Sequence, residues 1–199
     1  MEQVNNNNRI TFCDIVVGAV GSGKTYFLEK EMLPQMIGKG KRVLVVTEQR
    51  DDWQDYPLLQ NYEEIKTFTG GRKMYFADGR LEKIKEYYMN GILIFDDART
   101  FINSQPSSFL RWLLISRRHE GLDLFSVFHG LDEVPPIYFK YSSRLILFNS
   151  TGELAKRKQE ISAEKINLIA EAKKQLENDV RNGKKHTKKC IILDESHNF

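Results

Sequence analysis

Residues 18–25 read Gly-Ala-Val-Gly-Ser-Gly-Lys-Thr and match the phosphate-loop pattern G-x-x-x-x-G-K-[ST] at every fixed position. Glycines in such a loop let backbone N–H groups turn inward around phosphate oxygens, and the helix that follows adds its positive N-terminal end. A β-prone run at residues 10–17 precedes the loop, and a helical pattern at residues 26–37 follows it. This strand–loop–helix context predicts a phosphate-binding loop rather than a chance glycine-rich turn.

The residue types of the loop indicate what it would bind. Lys24 is expected to reach the β- and γ-phosphates of a nucleotide, and the Thr25 hydroxyl is expected to bind Mg²⁺. ATP and Mg²⁺ are therefore the predicted cofactors. The residues predicted to contact the nucleotide are Gly18, Val20, Gly21, Ser22, Gly23, Lys24, Thr25 and Tyr26.

Apolar runs alternate with helical patterns along the rest of the chain. Strands that alternate with helices need crossover connections and therefore form a parallel sheet. The predicted fold class is α/β: a P-loop NTPase with a mostly parallel sheet flanked by helices and with a basic C-terminal helical arm. The predicted strands lie at residues 10–17, 42–46, 65–68, 73–76, 92–95, 124–128, 144–148 and 190–193, and the predicted helices lie at 26–37, 81–89, 107–119 and 159–181.

Two carboxylates follow the apolar strand at residues 92–95. In a P-loop NTPase a strand beside the first one has to deliver an acid to the metal, and Asp96 stands at that strand end. Asp97 is then expected to orient or deprotonate the attacking water. Many ATPases have glutamate at this position, so the shorter arm of Asp97 would slow hydrolysis or demand a closer water. The alternative interpretation is a solvated acidic pair in a loop.

A basic stretch, Arg117-Arg118-His119, ends the helix predicted at residues 107–119. Basic residues are favourable at a helix C-terminus because of the macrodipole, which accounts for one or two of the three. The other interpretation is that Arg117 or Arg118 reaches the nucleotide of a neighbouring subunit as an arginine finger.

A polar side chain also closes the following strand, which is predicted at residues 124–128. This strand is expected to lie beside the one that ends in Asp96. His129 at its tip would then project toward the γ-phosphate as a sensor.

The composition is that of one globular domain with an appendage. The 199 residues are 41% hydrophobic and 29% charged, which argues against wholesale disorder. No apolar run reaches the ~18 residues needed to span a bilayer, and the polar N-terminus lacks the apolar segment of a signal peptide. A cytoplasmic location is therefore expected, and Cys13 and Cys190 are interpreted as buried thiols of a reducing compartment.

The net charge of +3 is unevenly distributed along the chain. Residues 154–189 hold eleven Lys and Arg against five Asp and Glu, so the basic excess lies in the C-terminal part. We therefore predict a flexible N-terminus at residues 1–9, a P-loop core at 10–153 and a basic arm at 154–199. The arm is expected to pack on the core or on a neighbouring subunit.

Taken together, these motifs resemble the FtsK–HerA superfamily of ring-forming ATPases that pump DNA. The resemblance covers roughly residues 10–150. It rests on four features: the phosphate loop, the strand ending in Asp96-Asp97, the turn Arg118-His119-x-Gly121-x-Asp123 and the polar residue that ends the next strand. The compact size is similar to that of the genome-packaging ATPases of tailless double-jelly-roll viruses. The zonula occludens toxin-like proteins of filamentous phages share a similar turn, but they normally carry a membrane span that this sequence does not show.

The resemblance implies a role for each matched residue. Lys24 and Thr25 would bind the nucleotide and the metal, and Asp96 would bind Mg²⁺. Asp97 takes the place of the usual catalytic glutamate, and His129 takes the place of the usual glutamine sensor.

The resemblance also implies a finger arginine about ten residues before the sensor. Arg118 fits this position best and Arg117 second. Arg144, at the start of the last core strand, is a weaker candidate.

The first hypothesis is a Mg²⁺-dependent ATPase that forms a homo-oligomeric ring, a hexamer or a pentamer, and moves double-stranded DNA into a capsid without reading its sequence. Its location would be the host cytoplasm or a virion vertex, and its further partners would be capsid-vertex or membrane-associated packaging proteins. The basic runs 156–158 and 184–189 would contact DNA phosphates or be solvated. The alternatives are a small nucleotide kinase and an ATP-switch morphogenesis protein of the zonula occludens toxin-like type.

Overall fold

The computed structural model describes residues 11–48, 51–75, 81–104, 107–150, 152–154 and 161–194 of the 199-residue chain. The predicted flexible N-terminus at residues 1–9 and the basic run 156–158 lie outside these ranges. Within the described residues, seven strands form a single sheet: β1 (Cys13–Val17), β2 (Arg42–Thr47), β3 (Gly71–Tyr75), β4 (Gly91–Phe95), β5 (Asp123–Phe128), β6 (Arg144–Phe148) and β7 (Lys188–Ile192).

The strand order is β3-β2-β4-β5-β1-β6-β7. Strands β1 to β6 are parallel, and β7 pairs antiparallel with β6 at one edge. This arrangement confirms the predicted mostly parallel α/β class, and it confirms that the strand before His129 lies beside the strand before Asp96.

Helices connect the strands, as the alternation in the sequence predicts. The first one follows the phosphate loop as α1 (Lys24–Tyr26), a π-helical segment (Phe27–Met32) and α2 (Leu33–Ile37) in direct succession. The others are α3 (Leu81–Tyr87), α4 (Ala98–Ser104), α5 (Ser107–Ile115), α6 (Pro136–Tyr141) and α7 (Ala163–Arg181).

The sheet buries both of its faces because alternate residues of each central strand point to opposite sides. In β1, Ile15 and Val17 belong to one apolar cluster together with residues of α3, α5 and α7. Val16 belongs to a second cluster, in which Leu28 and Leu33 of the first helix pack. The two layers hold the strand ends in fixed positions, which is what a site at those ends requires.

The prediction of a strand at residues 65–68 is wrong. The chain forms a 3₁₀ helix at Tyr62–Lys66 instead, and the Asn61 side chain caps it by accepting a hydrogen bond from the Glu64 N–H at 3.0 Å. Asparagine is a strong N-cap residue, and this local bond favours the turn over an extended conformation.

Three helices depart from the prediction. The helix predicted at 107–119 ends at Ile115, and Ser116–Arg118 forms a 3₁₀ turn. The other two, α4 and α6, were not predicted, and α6 begins with Pro136 in its first turn, where a missing N–H costs nothing.

The C-terminal arm packs on the chain's own core. Ile169, Ala172 and Leu176 of α7 are buried in the first apolar cluster, and β7 extends the sheet. Cys13 is buried, but Cys190 is exposed, so the prediction of a buried thiol is wrong for Cys190. It lies on an edge strand, where alternate side chains face solvent.

Candidate nucleotide site

The phosphate loop sits where three parallel strands end together. The Gly18 N–H donates a hydrogen bond to the carbonyl of Phe128 at 3.2 Å, and the Ala19 N–H donates one to the carbonyl of Asn149 at 2.8 Å. The loop that follows β1 is therefore tied to the ends of β5 and β6. In parallel α/β sheets this carboxyl edge is where ligands bind.

Two glycines of the loop meet requirements that other residues cannot. A Cβ on Gly18 would lie 2.5 Å from the Ser22 hydroxyl oxygen and 2.6 Å from the Phe148 Cβ, which is too close for any side chain. Gly23 has a φ of 96°, in the left-handed region that favours glycine. These constraints give the loop its tight turn before Lys24.

The Lys24 side chain folds back over the loop. Its exposed fraction is 6%, and its Nζ donates hydrogen bonds to the carbonyls of Gly18 at 2.6 Å and Ala19 at 3.1 Å. Burial lowers the pKa of Lys24, while the nearby carboxylates of Asp96 and Glu133 oppose that shift. The ammonium group is thus held in the concavity of the loop, beside the carboxylates that follow β4 and β5.

The other residues predicted to contact the nucleotide differ in exposure. Val20 and Tyr26 are exposed, whereas Ser22 and Thr25 are half-buried. The Ser22 hydroxyl has no hydrogen-bond partner among the described residues. Nucleotide contact by these residues stays a prediction.

Asp96 is held by a tryptophan that lies far away in the sequence. The Trp53 indole Nε1 donates a hydrogen bond to Asp96 Oδ2 at 2.7 Å, and Trp53 is itself 1% exposed. Burial raises the pKa of the Asp96 carboxyl, and the bond from Trp53 opposes that shift. The bond fixes one carboxylate oxygen and leaves the other for a metal or its water.

The donors at this edge suit Mg²⁺. Within the described ranges, no cluster of three or more His, Cys, Asp or Glu side chains is arranged to hold a metal ion by itself. One carboxylate from Asp96 and one hydroxyl from Thr25 are hard oxygen ligands, and Mg²⁺ in nucleotide sites is bound by few protein ligands together with phosphates. The residues therefore fit a Mg²⁺ that arrives with a nucleotide.

Asp97 is the second of the two residues that link β4 to α4. It adopts a left-handed backbone, with a φ of 61°, which aspartate tolerates better than most residues. The Thr100 hydroxyl donates a hydrogen bond to Asp97 Oδ2 at 3.3 Å, and the same oxygen lies 4.0 Å from His129 Nε2. The carboxylate is 31% exposed, so water can reach it.

His129 lies opposite Asp97, at the end of β5. Its backbone N–H donates a hydrogen bond to Glu133 Oε2 at 3.0 Å, and Glu133 Oε1 accepts one from Arg99 at 2.9 Å. The His129 Nδ1 is buried with no partner among the described residues. The structure therefore brings Asp97 and His129 together, and it adds Glu133 and Arg99 to the site.

The sequence alone did not indicate three of these residues. Trp53 packs in the apolar core and also bonds to Asp96, and no local pattern in the sequence indicates that bond. Glu133 and Arg99 were not considered. The separation of four residues between His129 and Glu133 within one turn is the local signal that could have identified Glu133.

The two finger candidates have opposite environments. Arg117 is fully buried, and its guanidinium donates a hydrogen bond to the Thr11 hydroxyl at 2.9 Å. This burial contradicts the prediction that Arg117 reaches a neighbouring nucleotide. Arg118 is exposed. It precedes β5, whose six residues span about 17 Å, so it lies at the opposite edge of the sheet from the chain's own phosphate loop.

The turn that contains Arg118 is anchored by a buried carboxylate. Asp123 accepts hydrogen bonds from the Phe12 N–H at 3.0 Å and from Lys41 Nζ at 2.8 Å. These bonds fix the start of β5 beside β1. Part of the Arg-His-x-Gly-x-Asp motif is therefore structural.

Arg144, the weaker finger candidate, is paired within the chain. Its Nε lies 3.1 Å from both carboxylate oxygens of Asp14, a fully buried residue of β1. Burial raises the pKa of Asp14, and Arg144 opposes that shift. This pairing leaves Arg144 with a structural role.

Arg144→Ala is expected to destabilise the fold by about 3 kcal/mol at neutral pH, because it leaves a buried carboxylate unpaired. The pKa of Asp14 would rise further in this variant, so the loss should shrink as the pH falls and Asp14 takes up a proton. Urea unfolding at several pH values measures both effects. The double variant Asp14→Asn/Arg144→Ala is the control and should lose the pH dependence; an equal loss at every pH would contradict the argument.

Solved structures with this architecture include two viral proteins. The genome-packaging NTPase B204 of Sulfolobus turreted icosahedral virus 2, in complex with AMPPCP, superposes with a TM-score of 0.66 at 18% identity, covering 90% of this chain and 96% of that chain. The DNA-packaging ATPase B204 from Sulfolobus turreted icosahedral virus gives a TM-score of 0.58 at 14% identity, with coverage of 90% and 96%. The fold is that of a P-loop NTPase.

The N-terminal domain of zonular occludens toxin from Neisseria meningitidis superposes with a TM-score of 0.45 at 16% identity, which is too low to support an inference. No family model and no curated protein matches the chain. Among the described residues, no helix combines the length and the apolar character needed to cross a membrane.

Proposed function

We propose that this protein is a Mg²⁺-dependent ATPase that acts in a homo-oligomeric ring and translocates double-stranded DNA, as in viral genome packaging. The observation that carries the proposal is the convergence of Lys24, Asp96, Asp97 and His129 at the carboxyl edge of the sheet. One edge thus holds a cation that would bind phosphate, an acid that would bind the metal and an acid that would orient water. This is the set that hydrolysis of a nucleoside triphosphate needs.

The chemistry assigns one action to each side chain. Lys24 would neutralise charge on the β- and γ-phosphate oxygens, while Asp97 would take a proton from the attacking water as its oxygen bonds to the γ-phosphorus. The bond to the β–γ bridging oxygen would break, releasing ADP and phosphate. Thr25 and Asp96 would hold Mg²⁺, which would supply further charge neutralisation. His129 would contact a γ-phosphate oxygen and respond to its departure.

The position of Arg118 supports the proposed ring. An exposed arginine at the far edge of the sheet cannot serve the chain's own nucleotide, but a neighbouring subunit could present it to the next site. If each subunit completes the ATP site of its neighbour in this way, hydrolysis depends on assembly of the ring. The exposed lysines of the arm would bind DNA through phosphate contacts that do not depend on the base sequence.

DNA as the substrate is supported by the shared fold of B204, which is described as a genome-packaging NTPase and a DNA-packaging ATPase. Capsid-vertex or membrane-associated packaging proteins would be the docking partners, and the host cytoplasm or the virion vertex would be the location. The core at residues 10–153 would then carry the hydrolytic residues, and exposed lysines of the arm at 154–199 would contribute to DNA contact.

Steady-state ATP hydrolysis with and without double-stranded DNA tests the proposal. We expect DNA to stimulate turnover, and we expect Lys24→Ala and Asp97→Asn to abolish the stimulated rate. A rate of ATP turnover that DNA does not change, but that requires a small phosphate acceptor, would indicate a nucleotide kinase. ATP binding without turnover under all conditions, including at concentrations that support oligomers, would contradict the motor and favour an ATP switch.

A further inference from the structure

The C-terminal arm passes directly beside the phosphate loop and leaves an open cleft of about 320 Å³ between them. We name residues 184–187 the crossing segment. One wall of the cleft is the loop itself, and the other is the crossing segment. The cleft is lined by residues 19–22 of the loop, by Asn149 and Val180, and by the crossing segment.

The crossing segment is held at both of its ends. At the first, Lys184 donates hydrogen bonds from its N–H to the Asp179 carbonyl at 3.0 Å and from Nζ to Asp179 Oδ1 at 2.7 Å. At the second, Lys188 begins β7 and donates to Glu31 Oε2 at 3.0 Å, with its Nζ 4.4 Å from the centre of the Phe27 ring. Glu31 and Phe27 belong to the helical run that follows the phosphate loop, so the segment is fixed to that run.

His186 makes the closest approach to the loop. A Cβ on Gly23 would lie 3.0 Å from His186 Nδ1, so the imidazole packs against the backbone immediately before Lys24. His186 has a left-handed backbone, with a φ of 56°, and it remains exposed on its other side. The ring therefore stands at the mouth of the cleft with one face free to contact a ligand.

The order of the strands indicates which part of a nucleotide would face the cleft. Asp97 and His129 follow β4 and β5, which lie on one side of β1 and mark the γ-phosphate end of the site. Asn149 follows β6, on the other side of β1. A nucleotide whose triphosphate lies in the loop has to extend its ribose and base away from the γ-phosphate, and the cleft opens on that side.

The polar groups of the cleft suit a nucleoside. The amide of Asn149 offers both a donor and an acceptor, and the Ser22 and Thr187 hydroxyls are buried without partners among the described residues. The cleft volume falls in the range of small-molecule sites. The imidazole of His186 is the aromatic group against which a base can stack.

We infer that the crossing segment forms the nucleoside-binding wall of the ATP site within the same chain, with His186 stacking on the base. The inference rests on the proposed nucleotide binding and adds the subsite that distinguishes a nucleotide from a bare polyphosphate. The basic residues 184–189 then serve the nucleotide, rather than being only a DNA contact or a solvated run.

The test compares two ligands by isothermal titration of the full-length protein with Mg²⁺: AMPPCP and inorganic tripolyphosphate. The variant is His186→Asn, because asparagine tolerates the left-handed backbone and removes the imidazole. We expect it to weaken AMPPCP binding about tenfold, the scale of a lost base-stacking contact, and to leave tripolyphosphate binding unchanged. His186→Ala should behave in the same way.

Two controls separate this inference from the function on which it rests. Lys24→Ala should lose both ligands, and Lys39→Ala, which removes an exposed lysine that follows α2, should lose neither. A wild-type protein that binds neither ligand would overturn nucleotide binding itself. If the wild type binds AMPPCP but His186→Asn binds it equally well, only the nucleoside wall is wrong. Weakened double-stranded DNA binding by His186→Asn with unchanged AMPPCP affinity would overturn the inference in favour of a DNA contact.

Discussion

Arg118→Ala is expected to lower the DNA-stimulated rate of ATP hydrolysis by about 10³-fold or more, while ATP binding stays unchanged. The expectation follows from the position of Arg118, which is exposed and separated from its own phosphate loop by the length of β5. A guanidinium that reaches a neighbouring nucleotide would stabilise charge that develops only in the transition state. Its loss therefore lowers the turnover rate rather than the affinity.

The measurement is steady-state hydrolysis at saturating ATP, with Arg111→Ala as the matched control. Arg111 is an exposed arginine of α5, one short segment before Arg118, and its removal should change the rate less than twofold, as for a surface residue without a role. Arg118→Lys should also be slow, because lysine keeps the charge but not the forked geometry. A normal rate for Arg118→Ala would contradict the finger.

Mixing two inactive variants tests whether the arginine acts between subunits. In a mixed ring, Lys24→Ala subunits still carry Arg118, and Arg118→Ala subunits still carry an intact phosphate loop. Some interfaces then combine both intact parts, so the mixture should recover part of the wild-type rate. Absence of any recovery in rings shown to contain both variants would exclude action in trans.

The parts of the fold that the sequence predicted are those that local patterns specify. Short apolar runs bounded by turns predict buried parallel strands, and the phosphate loop fixes the order of strand, loop and helix. Because parallel strands end at one edge, the sequence also indicated that the loop, Asp96 and His129 would meet. The structure agrees for the sheet and for these strand ends.

The parts that the sequence missed depend on contacts between distant residues. Trp53 bonds to Asp96 across a separation of 43 residues, and no local pattern marks such a pair. Arginine is rarely fully buried, so the burial of Arg117, which bonds to Thr11, opposes the usual tendency. The π-helical segment after the loop has no signal in the hydrophobic periodicity. These residues lie where tertiary packing, rather than local preference, decides the outcome.

The approach of the arm to the phosphate loop is a further long-range feature. In the sequence, residues 184–189 are only a basic run after a helix, and a run of this kind is most often solvated. The antiparallel pairing of β7 with β6 brings the run back to the loop between β1 and the first helix. The antiparallel direction of β7 therefore changes the interpretation of residues 184–189 from a solvated run to a part of the proposed nucleotide site.

Asp97→Asn is expected to lower turnover by about 10²- to 10⁴-fold, the usual contribution of a general base, without weakening ATP binding. The amide keeps the size of the side chain and can still accept the Thr100 hydrogen bond, so the fold should be unaffected. Steady-state hydrolysis and nucleotide titration on the same preparation separate the two effects. Glu82→Gln, an exposed acid of α3, is the control and should retain the wild-type rate. A variant that also loses ATP affinity would indicate that Asp97 acts in binding.

The Asp97→Glu variant tests whether aspartate at this position limits the rate of ATP hydrolysis or suits the geometry of this site. The carboxylate of Asp97 already lies 4.0 Å from His129 Nε2 and 3.3 Å from the Thr100 hydroxyl, and its left-handed backbone favours aspartate over glutamate. One more methylene would push the carboxylate out of these contacts and into the space of the attacking water, where a displacement of about 1 Å can cost 10²-fold in rate. We therefore expect Asp97→Glu to be slower than the wild type. A faster Asp97→Glu enzyme would mean that the short acid limits hydrolysis, and the slow ATP switch would then be the better description of the protein.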